Sequence, residues 1–418
     1  MEKLFKKKGK DWYFSMLLAA SIFFTPLRST LIAIGNQLHL GLGRIFSIAS
    51  VFLFLLILFL PILGRFKITK DMVFWYIFVT ISWITSWIFH TKYTSQWIGE
   101  IIDIFVHALP YYIIVQNIDD WKTAKYILFS SSRITILMMI LYTLLELFQK
   151  VLFSEAQYNQ FSGVILAGAA TMCVLAFLED KKVKDLIWAL LAFGMIILFG
   201  ARMPIACIIL GIFLFLLEQI IQKREKILLT SKRGASIFLA ILLLCVISVI
   251  SILLLATNEM TNLGKGQRIL WQIANGEFFK SSGRAEIYRV VLDSIIDNPL
   301  CGYGMIADRI QISIRNFGNA DLFTGSYAHN IFLELLMQYG IVLGGLLSVF
   351  IIIVSIKLLT KPVLREKKLV AIWAIAMTFG ILLFSGPVYS NKHFWIMLGL
   401  HMIYKINSTK MESGEEKK

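Results

Sequence analysis

The run His329-Asn330-Ile331-Phe332-Leu333-Glu334, with Gly340 behind it, joins a long polar segment to an apolar stretch that continues to Ile356. About 20 residues cross the ~30 Å apolar core of a bilayer as a helix, so Ile331–Ile356 reads as a membrane span. Backbone placed in lipid must satisfy its own hydrogen bonds, which makes such a span helical. His329 then stands where a polar loop re-enters the membrane, half wet and half shielded.

Working outward, apolar runs of similar length recur through the chain. Of 418 residues, 58% are hydrophobic and only 16% are charged, with a mean hydropathy of +0.74. Soluble proteins carry about 25% charged residues. Apolar length gives about twelve spans. They are Trp12–Ile34, Ile45–Leu63, Met72–Phe89, Ile98–Val115, Tyr126–Phe148, Phe161–Leu178, Leu186–Gly200, Pro204–Ile221, Ala235–Ala256, Ile331–Ile356, Leu369–Ser385 and Phe394–Tyr404. The expected fold class is an all-α polytopic membrane protein.

The net charge of +15 does not signal nucleic acid, because the basic residues sit in short loops between apolar runs. They gather at Arg65/Lys67/Lys70, Lys122/Lys125, Lys181/Lys182/Lys184, Lys223–Arg233 and Lys357–Lys368, and at both termini. Basic loops stay in the cytoplasm. Both termini are therefore expected inside, and the segment from Thr257 to Ala328 outside. This divides the chain into a bundle of about nine helices over 1–256, a large external loop over 257–328, C-terminal helices over 329–405 and a polar cytoplasmic tail over 406–418. Lys6-Lys7-Lys8-Gly9-Lys10 before an apolar run superficially resembles a signal peptide. The run from Trp12 to Ile34 is longer than such a segment needs, so it is expected to remain as the first span.

Leu186–Ile221 needs arbitration. As one helix it would exceed ~50 Å at ~1.5 Å per residue and would put Lys181–Lys184 and Lys223–Arg233 on opposite faces. Two short spans turning at Gly200-Ala201-Arg202-Met203-Pro204 keep both clusters inside and place Arg202 outside. In the external loop, Ile287, Val290, Val291 and Ile295 recur at helical spacing. They predict a short amphipathic helix on the membrane surface that stops near Asn298-Pro299.

Several residues are candidates for chemistry. Arginines and a histidine beside a bilayer suit an anionic, lipid-linked substrate. His329 can take a proton near neutral pH, or it can cap a helix. Arg202 can fork onto a phosphate, or snorkel to the interface. Arg284 and Arg289 can face a diphosphate, or lipid headgroups. Glu100, Asp103 and His107 fall on one helical face at i, i+3 and i+7; they fit a cavity lining, a relay or an interhelical cluster, and Arg28 is a possible partner. Cys173, Cys207 and Cys245 lie in apolar runs and Cys301 stands alone, with neither a disulfide framework nor metal spacing. There is no Gly-rich phosphate loop and no external Asp-x-Asp, so neither a resident metal nor a cofactor is expected.

The segment resembles the O-antigen ligase and polysaccharide polymerase superfamily. The resemblance rests on Gly283-Arg284 opening the amphipathic helix, Asn298-Pro299-Leu300-x-Gly302-x-Gly304, and His329-Asn330-x-x-Leu333-Glu334 followed by Gly340 and Gly344. The Gly200-Ala201-Arg202 turn and the position of the long loop also fit. The resemblance implies a metal-independent membrane glycosyltransferase with a polyprenyl-diphosphate-linked glycan donor and a glycan acceptor. It implies His329 as the base that activates the acceptor hydroxyl, and Arg202 and Arg284 on the diphosphate. Arg289 would join them on the diphosphate, and Asn330 and Glu334 would support the site; Glu100 and Asp103, read from their spacing, are expected to support it as cavity lining. A polymerase of surface-polysaccharide repeat units in the cytoplasmic membrane is the leading expectation, with a flippase and a chain-length regulator as partners. A ligase is the alternative and a transporter a more distant one.

Overall fold

The computed structural model describes residues 2–37, 45, 49, 67–89, 100–148, 160–198, 202–222, 284–317, 327–383 and 386–412. The expected spans Ile45–Leu63 and Ala235–Ala256 fall outside these, apart from Ile45 and Ala49. Among the described residues all regular structure is helical, without a strand.

The helices are α1 (Glu2–Gln37), α2 (Lys70–Phe89), α3 (Pro110–Gln116), α4 (Trp121–Phe148), α5 (Gln160–Asp180), α6 (Val183–Leu198), α7 (Arg202–Ile221), α8 (Arg284–Asp297), α9 (Ala307–Phe317), α10 (Ile331–Thr360), α11 (Arg365–Leu382) and α12 (Lys392–Glu412). Among the described residues, six helical stretches are long and apolar enough to cross a membrane: Gly9–Leu31, Lys70–Ile88, Trp121–Leu144, Ser162–Asp180, Met203–Ile221 and Ile331–Thr360. Each falls on a span expected from apolar length.

The chain folds as two interleaved compact units. The first takes Met1–Leu56, Ile118–Lys280 and Pro362–Met377; the second takes Ile57–Asn117, Ser281–Lys361 and Thr378–Lys418.

In the first unit, residues from the expected cytoplasmic loops meet one another. Asp11 near the start of α1 accepts from the backbone N–H of Asp119 (2.8 Å) and Asp120 (3.1 Å) before α4. Lys125 at the start of α4 pairs with Asp180 at the end of α5 at 3.3 Å. Arg365, opening α11, donates to Glu179 at the end of α5 (2.7 Å) and to buried Glu218 at the end of α7 (2.6 Å). Arg133 reaches Asp185 at the start of α6, Nε to Oδ1 2.9 Å. The start of α6 and the end of α7 thus return to one face, as two antiparallel spans require and one long helix would forbid. Losing the arginine partner would strand the buried Asp185 or Glu218 carboxylate at a cost of about 3–5 kcal/mol, so these two pairs hold that face together.

In the second unit, the expected span Ile98–Val115 is not one regular helix. A π-helix covers Asp103–Ala108, with Leu109 N–H bonded to Ile104 O at 2.8 Å, and α3 begins at Pro110. Proline has no N–H to offer the carbonyl four residues back, and its ring crowds that carbonyl. The preceding turn widens to an i→i+5 bond.

Candidate functional site

The site is built on a break in α10. Gly340 has φ 74° and ψ 176°, a conformation open in practice only to glycine. The ideal Cβ of Gly344 would lie 2.3 Å from Leu335 O. In a straight helix those residues would stand ~13 Å apart along the axis. The chain therefore bends sharply, so that 331–339 and 341–360 are two helices. The exposed aliphatic face starts at the break, with Ile341, Val342, Leu343, Leu346 and Val349 all exposed, whereas Ile331, Leu335 and Met337 are buried. The 20 residues of 341–360 rise about 30 Å and suffice to cross a bilayer. The span read as continuous from Ile331 is thus a short buried helix followed by a full-length one.

A break in lipid leaves backbone groups that need partners, and the Asn298–Gly304 loop supplies them. Tyr303 N–H donates to Met337 O (2.9 Å) and Gly304 N–H to Gln338 O (2.8 Å), while Ile341 N–H donates to Pro299 O (2.7 Å). These bonds replace those the helix would have made to itself. The approach is close: a Cβ on Gly302 would lie 2.6 Å from Gln338 O, and one on Gly340 2.2 Å from Leu300 O. Gly302, Gly304 and Ile306 alternate through positive φ values of 65°, 90° and 71°. For branched, buried Ile306 this is a strained backbone. The strain aims α9, whose first turn carries Asp308 and Arg309.

His329 and Asn330 stand at the head of the short helix. Asn330 is its N-cap, accepting from Phe332 N–H at 2.9 Å and Leu333 N–H at 3.3 Å. Asparagine at this position satisfies donors that have no partner inside the helix. The cap is therefore Asn330, not His329. His329 sits one residue earlier with φ 52°, half-buried, its ring 4.1 Å from that of Tyr327. Its carbonyl accepts from Tyr288 Oη at 3.4 Å.

Behind this head lies a buried polar cluster. Arg309 pairs with Glu100. Gln338 Nε2 donates to Asp308 Oδ1 (2.9 Å) and to Glu334 Oε1 (3.2 Å). Glu334, 1% exposed, accepts from Val388 N–H at 3.1 and 3.3 Å. The cluster ties together α9, the short helix of α10, the 386–391 loop and Glu100 ahead of the π-helix.

Residues 187–348 match the O-antigen ligase family model. No curated protein and no solved structure gives a significant match. The matched segment starts in α6, ends in α10 and contains Arg202, the Asn298–Gly304 loop and His329.

Within the matched segment, the structure brings together His329, Asn330 and Glu334 at one short helix. Arg284 opens α8 in the same unit; Arg202 opens α7 in the other unit. The side chains of Arg202, Arg284 and Arg28 are outside what the structure describes. Arg289 is exposed on α8. Glu100 leaves its expected trio for Arg309, whereas Asp103 and His107 pair with each other at 2.9 Å and stay 55% and 52% exposed.

The amphipathic helix α8 exists with its expected end, but its apolar face meets protein. Val291 and Ile295 pack with Ile312 of α9, Ala328 and Met337, and with Ile287 at the margin. The periodicity defines an apolar face without saying whether lipid or protein covers it.

Sequence reasoning missed α9 and the roles of Asp308, Arg309 and Gln338. Two signals were available. Asp308-Arg309 interrupts apolar Met305, Ile306 and Ile310, and Gln338 follows Glu334 by one helical turn.

Proposed function

We propose that this protein is a membrane glycosyltransferase that joins polyprenyl-diphosphate-linked repeat units into a surface polysaccharide on the external face of the cytoplasmic membrane. The observation that carries the reading is His329, held in a left-handed turn at the head of a short helix inside the O-antigen ligase segment. Backbone strain of this kind collects where a side chain must be aimed. In the reaction, the acceptor hydroxyl gives its proton to the His329 imidazole as its oxygen bonds the donor's anomeric carbon. The bond from that carbon to the diphosphate breaks, and the polyprenyl diphosphate leaves with the electron pair. Arg202 and Arg284 neutralise the charge that develops there, which stabilises the transition state more than the ground state. In this reading the arginines do what a divalent metal does elsewhere. About twelve spans hold the polyprenyl tail beside the loop, and a flippase and chain-length regulator act with the enzyme.

The family's description as an O-antigen ligase favours a second reading, transfer of a finished glycan to a lipid or protein acceptor. Purified protein given the lipid-linked repeat unit as its sole substrate decides between them. A ladder of products supports polymerisation. A single transfer event that appears only when a second acceptor is added supports ligation.

Orientation has its own test. In a Cys301→Ser background, a cysteine placed between Asn258 and Gly325 should react with an impermeant thiol reagent in intact cells or spheroplasts, and one placed between Lys223 and Arg233 should not. The reverse labelling pattern would invert the protein and remove the external site.

Arg202→Lys keeps the charge and loses the planar fork. We expect normal insertion with transfer slowed roughly 100-fold, the scale of one lost oxyanion donor. Full activity in this variant would reduce Arg202 to an interfacial anchor.

A further inference from the structure

The Asp308–Gln338–Glu334 bridge is short of hydrogen-bond donors. Gln338 uses its amide nitrogen on Asp308 Oδ1 and Glu334 Oε1. Among the described residues, Asp308 Oδ2 and Gln338 Oε1 remain buried without a hydrogen-bond partner. Buried oxygens almost always find a donor, and each exception calls for an explanation. The charges are out of balance in the same sense. Among the described residues, the titratable groups facing Asp308 are Arg309 beside it on α9, Glu100 ahead of the π-helix and Glu334 on α10, with the Tyr339 and Tyr389 hydroxyls near the two acids. Three carboxyls thus share one guanidinium, and that guanidinium is already paired with Glu100.

We infer that the Asp308–Gln338–Glu334 bridge binds a proton in the folded protein, so that one of its two carboxyls is a neutral acid supplying the missing donor. Two ionised carboxylates so placed, facing one engaged arginine in a buried site, repel each other and cannot both stay charged cheaply. Burial acts in the same direction, pushing the Asp308 carboxyl from its usual 3.8 up to about 6 against the opposing pull of Arg309. The bridge is a positioning device: Glu334 shares the short helix with Asn330, and its grip on Val388 N–H fixes that helix against the 386–391 loop.

The sign of the pH dependence follows. Asp308 has a raised folded pKa, so between about 4 and about 6 the folded chain holds more protons than the unfolded chain, and stability falls as pH rises. Asp308→Asn places a neutral isostere of the protonated acid in the bridge and removes that slope. The melting temperature of the wild-type protein in detergent, taken relative to Asp308→Asn, should drop by roughly 5 °C between pH 4 and pH 7. Infrared absorption reads the same proton directly in the wild-type protein. A protonated-carboxyl band should be present at pH 5, inside that window, and should be lost in the Asp308→Asn/Glu334→Gln double variant. Absence of that band at pH 5 overturns the inference. So does a wild-type melting temperature that sodium raises at constant ionic strength while that of Asp308→Asn stays still, since a bound cation would then fill the shortage. Neither measurement uses glycan transfer, so the inference can fail while the proposed activity stands, and the reverse.

Discussion

His329→Ala should abolish chain growth, with the polymer ladder expected to collapse to single repeat units while the protein still reaches the membrane. General-base assistance is worth about 10²–10⁴-fold, enough to erase a ladder that needs many successive transfers. The structure sharpens the control. Because Asn330 already caps the helix, losing the imidazole leaves the head of α10 with its hydrogen bonds. Because His329 has φ 52°, the informative partner variant is His329→Asn. Asparagine tolerates the left-handed region but cannot take a proton near neutral pH. Both variants should be inactive and both should bind donor. A normal ladder from His329→Asn would make the residue a backbone fitting, and the base would have to be sought elsewhere.

Gly340→Ala removes the fold of the site rather than its chemistry. The new methyl would meet Leu300 O at 2.2 Å, and the backbone would be held where only glycine is at ease. Each such strain costs about 1–3 kcal/mol, overpacking adds about as much, and the three clasp bonds to the Asn298–Gly304 loop loosen together. A loss of this size is a large part of a protein's net stability. The expected outcome is a sharp fall in yield of folded protein and a melting transition lowered by many degrees. Gly345→Ala, at a helical glycine with nothing within 4 Å of its would-be Cβ, should be silent. Equal behaviour of the two variants would show that the break is not structurally required.

The parts of this chain that were legible in its sequence are those written in composition and period. Lipid demands long apolar helices, so the spans at Gly9–Leu31, Lys70–Ile88 and Trp121–Leu144 could be read directly. Loop charge paired the ends that meet at Arg365, and the turn at Arg202 separated α6 from α7. The break at Gly340 was hidden because both of its arms are apolar, and hydropathy is indifferent to backbone direction. Pro110 sat in the sequence as a clear helix-disturber, yet its effect is a widened turn, which periodicity does not encode. The candidate site was half visible. The motif residues His329, Asn330 and Glu334 do gather at one short helix. Glu100 was grouped by helical spacing with Asp103 and His107, but its partner Arg309 lies 209 residues away, a separation no local pattern can bridge.

The clasp also sets an order of assembly. Met337 O, Gln338 O and Ile341 N–H are backbone groups that a bilayer cannot serve, so the helix 341–360 cannot settle into lipid with its upper end open. It needs the Asn298–Gly304 loop already within reach. The loop is synthesised first, and the ribosome delivers the two pieces in the sequence that burial demands. The short helix headed by His329 is therefore expected to take its shape only when both pieces have arrived.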